Sequence, residues 1–89
     1  MPMATLRIAD EFNEDLALIY SGTLLNRIHT VLNQLLQFPD MGSPNVRPSL
    51  IQQYGKGFRT LSISLFVLVY RHRDEVVDVL ALIHGPRIQ

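Results

Sequence analysis

The sequence predicts one two-layer α+β domain in the order β-α-α-β-β-β, with a helical hairpin packed on an antiparallel sheet. Three observations predict it. Apolar residues between positions 10 and 38 recur at helical spacing. From Phe58 to His84 they gather instead into short runs rich in valine, leucine and isoleucine, separated by turn-like breaks. The chain is 89 residues long and 47% hydrophobic, enough for one modest core and for no second domain.

Thr5–Ala9 is a short candidate strand. Asp10–Tyr20 carries Phe12, Leu16, Ile19 and Tyr20 on one helical face. Its acids lie in the first turn, where they suit the helix dipole. Gly22 breaks this helix, and Ser21 or Thr23 can cap the next. Thr23–Phe38 has the clearest pattern: Leu24, Leu25, Ile28, Val31, Leu32, Leu35 and Leu36 form a wide apolar stripe, with polar residues opposite. Pro39 ends it, because proline disfavours the α conformation in the residue before it. Pro39–Gln53 holds Pro39, Gly42, Pro44 and Pro48 and reads as irregular. Then come three strand runs, Phe58–Ile63, Leu65–Arg71 and Glu75–Ile83. The breaks are expected at Ser64-Leu65 and at His72-Arg73-Asp74. Two amphipathic helices need an apolar face to cover, and the meander supplies it.

Composition narrows the function. With no cysteine there is neither a disulfide framework nor a thiolate metal site, which is compatible with a reducing cytoplasm, the expected location. The N-terminus has no apolar stretch of the signal-peptide kind, and the run Leu65–Tyr70 is too short to span a bilayer. Formal net charge is zero but unevenly distributed. The first forty residues carry Arg7 and Arg27 against five acids; the rest carries six cations against Asp74, Glu75 and Asp78. A basic second half suits an acidic partner or a phosphate backbone, and equally a scatter of solvated charges.

No motif for a cofactor is present. Gly55-Lys56-Gly57 is too short for a phosphate-binding loop and precedes a strand, so a turn explains it. His29, His72 and His84 have no ligand-type spacing, and no metal is expected. No strained elbow or positioned base suggests a serine hydrolase. What stands out is a basic and aromatic set around the meander: Tyr54, Lys56, Arg59, Tyr70, Arg71, Arg73, His84 and Arg87. Arg59 shares strand parity with Leu61 and Ile63, and Arg71 with Val67 and Val69. An arginine ending an apolar strand face needs an acceptor. Asp74, Glu75 and Asp78 are candidate partners within the chain, and an external partner is the other reading. His84 fits a strand-end hydrogen bond as well as acid–base work. Tyr54 and Tyr70 fit packing as well as stacking.

These residues resemble a known family. Gly57-Phe-Arg-Thr-Leu-Ser-Ile-Ser-Leu-Phe-Val-Leu-Val-Tyr-Arg, followed by Asp74-Glu-Val-Val-Asp-Val-Leu-Ala-Leu-Ile-His-Gly-Pro-Arg, is similar to the second half of RelE/ParE-type toxins. Phe38-Pro-Asp-Met-Gly42 resembles the Pro-x-x-Gly that ends the second helix in that family. The resemblance covers roughly residues 23–87, and the family shares the element order read above. It implies a RelE/ParE-like fold and the toxin of a type II toxin–antitoxin pair, held inactive by a cognate antitoxin.

The ending His84-Gly85-Pro86-Arg87 resembles that of the ParE-like members, which act by binding a protein, DNA gyrase, and are not nucleases. Val67 and Leu61 stand where RelE-like members carry catalytic cations. The resemblance then implies Arg59, Tyr70, Arg71, His84 and Arg87 as partner contacts. The alternative is a RelE-like endoribonuclease acting on messenger RNA at the ribosome. In that case Lys56, Arg59 and Arg73 would stabilise phosphate charge, with His84 or Tyr70 moving protons. A helical hairpin a turn or two shorter than the family pattern, together with Pro86, leaves a binding-only, non-toxic member as a third reading. A homodimer stays open, and nothing points to a membrane.

Overall fold

A computed structural model of the protein describes residues 4–44 and 48–85. Its elements are β1 (Thr5–Ile8), α1 (Asp10–Ala17), α2 (Gly22–Gln37), α3 (Pro48–Tyr54), β2 (Arg59–Ile63), β3 (Phe66–Arg73) and β4 (Val76–His84). Ser21 caps α2, its hydroxyl accepting from the Leu24 N–H at 3.2 Å. One helix was not expected. α3 lies in the proline-bearing stretch read as irregular, yet Pro48 sits at the first helical position, where its missing N–H costs nothing. Leu50, Ile51 and Tyr54 then share one face.

The four strands order as β1-β4-β3-β2. The expected antiparallel meander is present in β2, β3 and β4. The sheet as a whole is mixed, because β1 joins its edge parallel to β4. The intervening helices and strands give the chain the crossover that parallel pairing needs. No helix among the described residues is long and apolar enough to cross a membrane.

A bulge in β4 decides which residues face which layer. Val69 pairs with Ala81 but Tyr70 pairs with Val79, so Leu80 has no cross-strand partner. The side-chain alternation therefore flips. Val77, Val79 and Leu82 join Leu68 and Tyr70 on the face covered by Phe12 of α1 and by Ile28 and Leu35 of α2. Ala81 joins Val69 and Phe58 on the other face, where Leu50 of α3 completes a smaller core. α1 also closes the β4 edge beyond the end of β1: the Asp15 carboxylate accepts from the Leu82 N–H at 3.0 Å.

Both hairpins turn in two residues, Ser64-Leu65 and Asp74-Glu75. The second turn starts later than expected, because β3 runs on through His72 and Arg73 to pair with Val77 and Val76. Ser64 and Asp74 each have φ of 56°. Aspartate tolerates that left-handed region better than serine does. Ser64→Gly should therefore stabilise the fold by about 0.5–1 kcal/mol in denaturant unfolding, since it relieves the strain at some cost in unfolded-chain entropy.

Candidate functional site

The expected site residues fall into three groups. The first surrounds the exit of α2. The Gly42 N–H donates to the Tyr70 hydroxyl at 2.8 Å, and Ser43 bridges to Thr60 of β2. The Arg59 guanidinium donates to the Gly42 carbonyl at 2.8 Å and lies 3.7 Å from the Asp40 carboxylate. Asp40 also meets His72 Nδ1 at 2.9 Å. This hydrogen bond from His72, ahead of the nearby cationic charge, holds the Asp40 carboxyl below its ordinary 3.8.

Tyr70 has no exposed area, and burial raises its phenol pKa. Tyr70, expected to touch a partner or move a proton, is a core residue whose hydroxyl anchors the Gly42 loop. A Cβ on Gly42 would lie 2.6 Å from the Tyr70 hydroxyl oxygen and 2.9 Å from the Thr60 carbonyl oxygen. That gives the glycine of the Pro-x-x-Gly pattern a steric reason.

The second group lies on the opposite face, at the end of β3 next to the Asp74-Glu75 turn. Arg71 donates to the Tyr54 carbonyl at 2.7 Å and the Lys56 carbonyl at 3.4 Å, and so ties down the end of α3. Tyr54 packs edge-on against Phe58, and its hydroxyl donates to the Glu11 carboxylate at 3.3 Å. Burial first, and Glu11 second, push its phenol up to about 12. Arg73 and Lys56 are exposed. Among the described residues neither Arg59 nor Arg71 is salt-bridged to Asp74, Glu75 or Asp78. Arg59 pairs with Asp40, and Arg7 takes Asp78 at 3.0 Å.

The third group is at the other end of the sheet. His84 tilts against Phe66 with ring centroids 5.3 Å apart. The two help to line a groove of about 330 Å³ with Asp15, Leu18, Ile19 and Leu82. Leu18 and the neighbouring turn residue Leu65 are 73% and 65% exposed. Gly85 is fixed sterically too, since a Cβ there would lie 2.8 Å from the Leu65 carbonyl oxygen. Arg87 lies outside the described residues.

The sequence does not single out Asp40 or His72 as site residues. The partners of Asp40, Arg59 and His72, are distant in the chain, and the pattern around His72 reads as a turn. Only the Phe38–Gly42 pattern pointed to this corner of the fold.

Two measurements check the first group. Gly42→Ala should cost about 1–3 kcal/mol of unfolding free energy, because part of what its methyl meets is backbone that cannot swing away. The lowered Asp40 pKa stabilises the fold above the ordinary value of 3.8 and stops doing so as pH falls through the folded-state value. Wild type should therefore lose more stability than Asp40→Asn between about pH 5 and about pH 2, with a small difference because Asp40 is exposed.

The family model described as "ParE toxin of type II toxin-antitoxin system, parDE" matches residues 6–88. No curated protein matches in sequence. Among solved structures, the chain resembles one from the RelBE2 toxin–antitoxin complex of Mycobacterium tuberculosis, with TM-score 0.71 and 22% identity over 94% of this chain and 99% of that one. It also resembles one from the chromosomal ParDE system of P. aeruginosa, with TM-score 0.56 and 18% identity over 92% and 96%. A conserved hypothetical protein from Helicobacter pylori matches with TM-score 0.55 and 21% identity over 98% and 100%. At these identities the structural matches speak for the fold.

Proposed function

The chain belongs to the ParE toxin family of type II toxin–antitoxin systems, and on that premise we propose that it acts by binding a protein target, DNA gyrase by family resemblance, and is neutralised by a cognate antitoxin. The observation that carries a binding role over a nuclease role is the dispersal of the residues a nuclease would need. Arg73 ends β3 beside Val76, whereas His84 pairs with Phe66 at the strand's other end. That is about 23 Å apart at the usual strand rise. Tyr70 is buried between them, and Arg59 is held by Asp40 and Gly42 on the α1–α2 face. A scissile phosphate needs its charge stabiliser and its proton donor within hydrogen-bond reach together. A protein interface has no such requirement and draws its strength from apolar and aromatic anchors. The His84 end, with Phe66 and the exposed Leu18 and Leu65, offers those anchors.

Expression of the chain alone should arrest growth, and co-expression of the antitoxin should restore it. Purified protein should inhibit supercoiling by gyrase while transcripts in the arrested cells stay intact. Cleaved transcripts with normal supercoiling would favour the ribosome-dependent endoribonuclease instead. Normal growth at confirmed expression would remove the toxin reading in favour of a binding-only member.

A further inference from the structure

We infer that the cleft between Arg7, Arg71 and Arg73 is a carboxylate-binding site, occupied by a single Asp or Glu side chain of a partner polypeptide. The cleft has a volume of about 280 Å³ and opens at the start of β4, lined by these arginines with Asp74, Val76 and Asp78. Arg71 is the lining residue that singles the cleft out. The Arg71 side chain is half-buried, and its Nε is buried with no hydrogen-bond partner among the described residues. Among the described residues, its hydrogen bonds go to neutral carbonyls, those of Tyr54 and Lys56. Asp78 stands directly opposite Arg71 across the β3–β4 ladder, yet its carboxylate turns to Arg7 on the neighbouring strand.

A partly desolvated guanidinium is stabilised by an ionised acceptor much more than by neutral ones. Arg73 follows Arg71 by two residues and so projects from the same face of β3. It brings a second planar fork of the kind that grips a carboxylate.

The same cleft disfavours nucleic acid. Asp74 and Asp78 are part of its lining, and Glu75 is the second turn residue. A phosphodiester backbone carries a charge at every nucleotide and would be set against these acids. Three arginines against two aspartates leave the lining one positive charge in excess, which one carboxylate on an otherwise neutral peptide balances. The cleft lies at the end of β3 away from His84. The inference rests on the toxin reading only in taking the occupant to be a protein, and the two can fail separately, one in growth and the other in binding.

The test follows the Arg71 and Arg73 Nε–H signals of the full chain by NMR during titration with a capped, otherwise all-alanine peptide carrying one central glutamate. The expected result is a saturable shift of both signals that the matching glutamine peptide does not produce. Arg71→Gln also releases α3, so the diagnostic variant is Arg73→Gln. It should keep the dispersed spectrum of the fold and weaken binding about tenfold, the loss of one charge-assisted contact. The inference is overturned if the glutamate peptide leaves the signals unmoved, if the glutamine peptide moves them equally, or if Arg73→Gln binds as tightly as wild type. A short single-stranded oligonucleotide that shifts the same signals at lower concentration than the peptide would also overturn it, in favour of a nucleic-acid surface.

Discussion

The close approach of Gly42 to the Tyr70 ring fixes how the chain leaves α2 and meets the sheet. No side chain fits at position 42, so the loop backbone can lie on the phenol and use it as a hydrogen-bond acceptor. From there Ser43 reaches the outer edge of β2, and Arg59 reaches back to the Gly42 carbonyl. The edge strand is thereby partly covered, and an unpaired sheet edge is the usual point of unwanted association. Asp40 and His72 add a hydrogen bond at the rim of the same corner. Tyr70 reads as a candidate functional group, but the fold uses it as a post.

The β4 bulge is the second constraint. Without the extra residue at Leu80, strict alternation would turn Leu82 away from the face that Val77 and Val79 occupy. With it, β4 supplies apolar groups to both layers. The nearly unbroken apolar sequence of β3 and β4 follows from burial on both faces, with α1 and α2 on one side and the short α3 on the other. Arg71 gains its position from this arrangement. It is the residue at which the α3 face of β3 turns from apolar to charged.

Glycines that look like family marks have structural reasons here. Gly42 and Gly85 each sit where a methyl group would strike a carbonyl oxygen, Thr60 in one case and Leu65 in the other. They report the fold and say nothing of the target. The side chains that line open grooves lie elsewhere: at the apolar end around His84, and in the arginine cleft at the other end of β3. Opposite ends of one strand are far enough apart to engage different partners, or different parts of one.

The sequence by itself determined the first two helices, the meander and the capping of α2, because apolar periodicity and side-chain capping are local and act over a few residues. It also contained Leu50, Ile51 and Tyr54 at helical spacing, but the surrounding prolines outweighed them. The parallel β1–β4 pairing, the bulge and the Asp15 carboxylate on the Leu82 N–H join residues far apart in the chain or depend on register, so no window of sequence reveals them. The same holds for the arginines. Parity put Arg59 and Arg71 at the ends of strand faces, but only the packed structure decided that Asp40 meets the first. It also decided that Asp78 turns away from the second, because a charge is paired by whichever neighbour the fold delivers.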